Sequence, residues 1–311
     1  MFHSTFILCP GQGAQAVGMG RDFYESHESA RKIFGQASGI LGFDLASVCF
    51  NGPEDRLNQT DISQPAIYVT SIISMRCAIE ACTVSREQVT AWAGLSLGEY
   101  TALHLAGVFG FEDGLRLVAA RGRYMQEAAI ANPSGMVAIM GADEAAVLNL
   151  CETSAQGEVL APANFNAPGQ IVVSGTNAAC QRVLAAAERA GFKAVALKVT
   201  GAFHSPLMAP AADHMREELA KVQFNAPRQP VYSNVTGMPH QSPESIKARL
   251  IEQIVKPVRW EQTMQALIAA DPAARFIELA PGRTLAGLAK RISRRLPVES
   301  VAVQRAPAKT P

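Results

Sequence analysis

Charge is scarce in this chain. Asp, Glu, Lys and Arg make up 18% of its 311 residues, and 28 basic against 27 acidic side chains leave a formal net charge of +1. An average globular protein carries roughly a quarter charged residues. With no broad basic field, nucleic acid is excluded as an expected partner. The basic cluster at 290–295 suits a solvated helix face as well as a docking patch. Paired cysteines are also missing. Cys9, Cys49, Cys77, Cys82, Cys151 and Cys180 contain no CxxC, and no Cys/His group falls at zinc spacing. Neither a disulfide framework nor a metal site is therefore expected, and the cysteines read as reduced, mostly buried apolar side chains. No basic segment precedes the short apolar run at the amino terminus. The longest uncharged stretch, 159–181, holds Pro162, Asn164, Asn166, Pro168 and Gly169. A membrane span cannot carry that composition, so a cytoplasmic protein without a membrane partner is expected.

What is present is a chain 48% hydrophobic, long enough for one large domain or two unequal ones. A strand-like run at 6–9 ends in the turn-rich PGQGAQAVGMG of 10–20, followed by a polar helical segment at 21–39. A polar connector at 60–64 leads to Pro65, whose fixed φ suits the start of an apolar helix over 65–82. An apolar run at 89–93 breaks at Gly94-Leu95-Ser96-Leu97-Gly98, and helices follow at 99–105 and 112–131. The middle then changes to short elements: strands at 135–141, 159–166, 170–174 and 193–199, with helices at 143–153 and 177–190. That βαββαβ order is ferredoxin-like. Larger elements return afterwards, including strands at 230–234, 275–279 and 298–303, helices at 209–221, 244–254 and 260–270, and a helix running to about 295. Residues 305–311 read as a loose tail. The expectation is an α/β protein. A large α/β-hydrolase-like domain with a parallel sheet (1–133 and 200–311) carries an inserted ferredoxin-like subdomain (134–199).

Chemistry concentrates at Gly94-Leu95-Ser96-Leu97-Gly98, a G-x-S-x-G pattern between a strand and a helix. In that context the glycines allow a sharp turn that projects the serine from the sheet, with the next N–H facing the site. A glycine-rich turn with a capping serine fits the pattern too. A serine nucleophile needs a base. His3, His27, His104, His214 and His240 suit surface or core positions. His204 sits in Gly201-Ala202-Phe203-His204-Ser205-Pro206, a loop just past a buried strand. Loops so placed tend to carry catalytic groups. The acid of a triad is not evident, because Asp113 and Asp143 lack a strand-end setting. Gly11-x-Gly13-x-x-Ala16 follows a strand, but the run continues into Gly18-Met19-Gly20 and no acid ends the next strand. A dinucleotide fingerprint needs both features, and the loop reads instead as backbone that approaches something closely.

Together these segments resemble the malonyl-CoA:acyl carrier protein transacylases, which include the acyltransferases of fatty-acid and polyketide synthesis. The resemblance spans nearly the whole chain. It rests on PGQGAQAVGMG, QTDISQPA (59–66), GLSLGEYTAL (94–103), VAARGRYM (118–125), NFNAPGQIVVSG (164–175), GAFHSPLM (201–208), NVTG (234–237), KPVRW (256–260) and APGRTLAGL (280–288). It implies that Ser96 attacks the thioester of malonyl-CoA and that His204 is the general base. A backbone carbonyl at Arg259 would orient His204, and the N–H groups of Gln12 and Leu97 would form the oxyanion hole. Arg121 would grip the free carboxylate of the malonyl group, as a guanidinium fork suits a carboxylate. Gln64 and Asn164 would line the pocket. No metal or cofactor is implied, and the partners are malonyl-CoA and an acyl carrier protein. Lys198, Lys256, Arg283, Lys290 and Arg291 could meet an acidic carrier. A monomer is expected. Two residues depart from the family pattern: Leu95, where G-H-S-L-G is usual, and Ala280, where Gly is usual. GAFH resembles the polyketide version that accompanies malonyl units. The implied reaction is ping-pong malonyl transfer through a malonyl-serine for fatty-acid or polyketide synthesis. The alternatives are a serine acyl hydrolase acting on acyl-CoA or acyl carrier protein, and a non-catalytic module that docks a carrier protein.

Overall fold

The structure, a computed structural model, describes residues 4–301. The carboxy-terminal tail and His3 fall outside that range. Its strands are β1 (Thr5–Cys9), β2 (Val89–Gly94), β3 (Ser134–Met140), β4 (Leu160–Ala167), β5 (Gln170–Thr176), β6 (Lys193–Ala196), β7 (Arg275–Glu278) and β8 (Val298–Ser300). They form two sheets. The first runs β2-β1-β7-β8 and every pairing in it is parallel. Parallel sheets need cover on both faces. Alternation along the strands supplies it: Ile7, Cys9 and Trp92 join one apolar cluster with the helices, while Phe6, Leu8, Ala91, Ala93 and Phe276 join another on the opposite face.

The second sheet runs β4-β5-β3-β6 and is antiparallel throughout. With helices Glu144–Ala155 and Asn177–Arg189 between its strands it has the split βαβ order. One face builds its own core from Val137, Ile139, Val147, Phe165, Val173 and Val183. The other face sends Met136, Ala163 and Val172 into the core of the large sheet's helices. The edge strand β4 is stitched to the chain near residue 258. Phe165 N–H donates to the Val258 carbonyl and Val258 N–H to the Ala163 carbonyl, both at 2.8 Å.

Several local expectations change. Pro65 lies inside helix Thr60–Glu80 rather than at its start, and the expected polar connector forms its first turn. A proline five residues in removes one intrahelical bond, a cost that the burial of 17 residues of this helix outweighs. The segment at 21–39 is two helices, Arg21–Ser26 and Glu28–Leu41, meeting at an extended His27. The expected strand at 230–234 makes only isolated bridges, from Val231 to Trp92 and from Tyr232 to Pro239 across the turn at 233–237. The strand expected to reach 199 ends at Ala196, and the helix expected to reach about 295 ends at Ile292. Among the described residues no single helix is long and apolar enough to cross a membrane.

Candidate active site

Ser96 sits between β2 and helix Leu97–Leu105 with φ 53° and ψ −105°. A non-glycine residue there is strained and persists only where its surroundings hold it. Three groups do so. Ser96 N–H donates to Asn234 Oδ1 at 2.6 Å, Asn234 Nδ2 donates to the Gly94 carbonyl at 2.7 Å, and Gln253 Nε2 donates to the Ser96 carbonyl at 3.0 Å. The flanking glycines are required by close approach. A Cβ on Gly98 would lie 2.1 Å from the Cys9 carbonyl oxygen, the end of the neighbouring strand.

His204 is the second strained residue, with φ 56°. Its loop hangs from the small sheet: Ser174 Oγ donates to the Phe203 carbonyl at 2.6 Å, and Ala202 N–H donates to Ser134 Oγ at 3.0 Å. The small sheet thus positions the imidazole. His204 Nε2 is 2.8 Å from Ser96 Oγ, and Nδ1 is 2.6 Å from the Gln253 carbonyl oxygen. A carbonyl only accepts, so Nδ1 carries the proton. In the neutral ring Nε2 is then free to accept from the serine hydroxyl. Burial, then the nearby Arg121 charge, lower the His204 pKa to about 4 against the opposing pull of the Gln253 carbonyl. The ring is therefore neutral at neutral pH.

The orienting carbonyl belongs to Gln253, and the Arg259 assignment is corrected. The Arg259 carbonyl accepts from Thr263 N–H and Thr263 Oγ1, both at 3.0 Å, in the first turn of helix Trp260–Ala270. Its guanidinium lies over the Phe165 ring, 5.1 Å from the centroid. Among the described residues no acid bonds to His204, and Asp143 instead caps helix Glu144–Ala155 by accepting from Ala146 N–H.

Arg121 is 1% exposed. Its Nη1 donates to Gln64 Oε1 at 2.7 Å, and Nη2 donates to Ser96 Oγ at 3.0 Å and to Gln253 Oε1 at 2.9 Å. The Tyr100 ring lies 5.5 Å from the guanidinium carbon, and Nε has no hydrogen-bond partner. Close packing makes the Gln64 contact possible. A Cβ on the adjacent Gly122 would stand 2.6 Å from the Thr60 carbonyl oxygen, at the start of the helix that carries Gln64. All three acceptors are neutral, and Arg121 makes no ion pair among the described residues. The buried Glu99 carboxylate acts on Arg121 only through space, and a buried cation with no ion-pair partner is expensive unless an anion joins it.

The sequence reading did not assign roles to Gln253, Asn234, Glu99 or His240. Glu99 is fully buried: Oε2 accepts from Gln253 Nε2 at 2.6 Å and Asn234 N–H at 3.1 Å, while Oε1 is 2.7 Å from His240 Nε2. Only NVTG and GLSLGEYTAL, which contain Asn234 and Glu99, hinted at these residues. Leu97 opens its helix, so its N–H has no intrahelical acceptor and lies at the positive end of the dipole. The loop carrying Gln12 presses on the elbow, since a Cβ on Gly11 would sit 2.3 Å from the Leu95 carbonyl oxygen. Gln12 itself donates through Nε2 to Thr60 Oγ1 at 3.4 Å. Asn164 lies on β4 at the bridge to Val258, and no side-chain hydrogen bond joins it to Ser96 or His204. Leu95 packs against the second apolar cluster.

A strained serine at the strand-to-helix elbow, hydrogen-bonded to a neutral imidazole, defines the class of serine enzymes that work on acyl groups. The acyl transferase domain family matches residues 5–305, and the chain belongs to that family of acyltransferases. It is 41% identical over 293 residues to the malonyl CoA-acyl carrier protein transacylase of Escherichia coli, covering 94% of this chain and 93% of that one. The structure of the malonyl CoA-acyl carrier protein transacylase from Coxiella burnetii superposes with a TM-score of 0.92 at 38% identity, covering 96% and 94%. A malonyl-transacylase in complex with its type II PKS acyl-carrier protein superposes with a TM-score of 0.91 at 37% identity, covering 96% of each chain.

Proposed function

We propose that this chain transfers a malonyl group from malonyl-CoA to the phosphopantetheine thiol of an acyl carrier protein, through an ester on Ser96. The observation that carries the reading is Arg121: a buried guanidinium, held by neutral oxygens alone, 3.0 Å from the Ser96 hydroxyl. Malonyl differs from acetyl by one carboxylate, and a bidentate guanidinium is the group suited to it. The names of the relatives support the same acyl donor and acceptor.

In the first half-reaction Ser96 Oγ attacks the thioester carbon while His204 Nε2 takes its proton. Negative charge gathers on the carbonyl oxygen, where the N–H groups of Leu97 and Gln12 receive it. The C–S bond then breaks, and the imidazolium returns its proton to the CoA sulfur. In the second half-reaction the carrier thiol attacks the ester carbon, His204 takes the thiol proton, and the proton passes to Ser96 Oγ as the C–O bond breaks. The Gln253 carbonyl keeps Nδ1 protonated throughout and stabilises the imidazolium, as the acid of a triad does elsewhere. Gln64 and Gln253 aim the Arg121 fork, and Asn164 lines the pocket from β4. The cycle calls for no metal or cofactor. The substrate reading distinguishes a transferase from a hydrolase of neutral acyl chains, which has no use for a buried guanidinium beside the nucleophile. We read 134–199 as a subdomain inserted into 1–133 and 200–311, supported by its separate sheet and apolar cluster. We further read the chain as a cytoplasmic monomer.

Intact-protein mass spectrometry after brief incubation with malonyl-CoA, beside acetyl-CoA and Ser96→Ala, tests the reading. A malonyl adduct that needs Ser96, is not matched by acetyl and passes to a holo carrier protein is expected. Equal labelling by acetyl would overturn the substrate assignment, and loss of the adduct to water without transfer would favour a hydrolase.

A further inference from the structure

Linear spacing offers no metal motif, but the fold assembles one far from Ser96. The side chains of His27, Cys77 and Glu80 bring one potential ligand atom each within 4.8 Å of one another. Cys77 and Glu80 stand three apart on the last turns of helix Thr60–Glu80 and so share a face. His27 comes from the junction of helices Arg21–Ser26 and Glu28–Leu41. Its own N–H closes the first helix by donating to the Phe23 carbonyl at 2.9 Å. Its side chain makes no capping bond to the second, at a position where Ser, Thr, Asp or Asn would do so. The imidazole Nδ1 is shut off from solvent and has no hydrogen-bond partner. Local structure therefore gives no reason for a histidine here, while the neighbouring thiol and carboxylate do.

We propose that His27, Cys77 and Glu80 bind one divalent cation of the zinc class, with water completing a tetrahedral shell. Imidazole, thiolate and carboxylate together suit a borderline-soft ion and not magnesium or calcium. Tetrahedral zinc holds its ligand atoms about 3.5 Å apart, so the trio closes by roughly 1 Å on binding. Side-chain rotation can supply that, because Cys77 is buried, His27 half-buried and Glu80 exposed. The exposed carboxylate also gives the ion a path in. A thiol must lose its proton to ligate a metal, so binding releases the Cys77 proton to solvent, and thiolate, carboxylate and dication sum to zero charge. Glu80 keeps its existing support: Oε1 accepts from Arg76 Nε at 2.7 Å and Oε2 from Ser29 Oγ at 2.8 Å, and each oxygen retains a lone pair for the metal. The trio lies about 20 Å along helix Thr60–Glu80 from Gln64, so the ion would clip the amino-terminal helices to the carboxyl end of this core helix and take no part at Ser96.

Cobalt(II) titration of the full chain tests this, in a Cys82→Ser background because Cys82 is an exposed thiol nearby. One equivalent should bind with a thiolate-to-cobalt charge-transfer band that zinc displaces. Cys77→Ala and His27→Asn should each weaken binding at least about 100-fold and remove the zinc-dependent rise in Tm. Acylation of Ser96 should stay as in the parent, which shows that the variants fold. No band at stoichiometric cobalt, or a band retained in the Cys77 or His27 variant, would overturn the site.

Discussion

A pKa of about 4 for His204, against 6.5 for an ordinary imidazole, has consequences for stability and for rate. The unfolded chain binds a proton at this residue below about pH 6.5, and the native state does so only below about pH 4. Between those values the unfolded state holds more protons, so stability falls as pH is lowered through the window. Integrating the difference gives a loss of about 2 kcal/mol at about pH 5, approaching about 3 kcal/mol at lower pH, and almost none at about pH 7.5. Urea unfolding of the parent and of His204→Gln at about pH 7.5 and about pH 5 isolates that share, because every other carboxylate and histidine titrates in both proteins. The stability difference between them should shift by about 2 kcal/mol in favour of the variant at the lower pH. Rate reads the same shift in the other direction. At about pH 5.5 an ordinary histidine is roughly one-tenth neutral and this one roughly nineteen-twentieths, so acylation of Ser96 by quenched flow should keep nearly its neutral-pH value. A half-maximal rate near pH 6.5, or a stability shift below about 0.5 kcal/mol, would refute a desolvated His204 and with it the placement of the ring between Arg121 and the Gln253 carbonyl.

Arg121→Ala should lower kcat/KM for malonyl acylation by roughly 10²–10⁴, the worth of two charge-assisted hydrogen bonds, while acetyl acylation changes by less than about tenfold; competitive labelling with both donors measures the ratio. Gln253→Leu removes the donor to the Ser96 carbonyl and the acceptor for Arg121. Acylation by both donors should therefore fall together by roughly 10–100-fold, leaving their ratio closer to the parent's than Arg121→Ala does. Gly98→Ala drives a Cβ to 2.1 Å from the Cys9 carbonyl oxygen, so thermal unfolding should show a loss above about 3 kcal/mol or no folded protein. Leu95→His should keep Ser96 acylation within about threefold in the same labelling assay, because Leu95 packs against the apolar cluster behind the sheet.

The elements legible in the sequence are those whose burial pattern is local. β1 and β2 read as short apolar runs ended by glycine or proline, and the βαββαβ order of the middle followed from turn residues alone. Where a distant contact decides, local signals misled. Pro65 suggested a helix start because its φ fits there, yet the buried face of helix Thr60–Glu80 runs on past it toward Gln59. The apolar run at 230–234 has strand composition, but its chain is spent on isolated bridges to Trp92 and Pro239 and on placing Asn234 under the elbow.

The candidate site divides along the same line. Ser96 and His204 stand in motifs with a chemical signature of their own, an elbow and a loop after a buried strand, and Arg121 stands in the R-G-x-x-M motif that the family resemblance supplies. Their support does not. Gln253 lies in the last turn of an amphipathic helix where glutamine is unremarkable in composition, and it is 157 residues from the serine whose carbonyl it holds. Pro257, four residues on, has no N–H to give the Gln253 carbonyl, whereas the Arg259 carbonyl accepts from Thr263 N–H. The choice depends on where helix Pro243–Val255 ends: Lys256 N–H already bonds to the Glu252 carbonyl, which leaves the next carbonyl, that of Gln253, open to His204 Nδ1. A helix terminus always exposes such carbonyls. Here one of them does the work of a buried acid without adding a second negative charge beside Glu99. That absence of extra charge matters for Arg121. A carboxylate on His204 would lie within the same hydrogen-bonded cluster and would offer the guanidinium an internal partner in place of a substrate's. A neutral orienting group and an unpaired buried arginine are therefore two parts of one electrostatic arrangement, and an engineered Gln253→Glu should weaken malonyl selectivity even where Ser96 still labels.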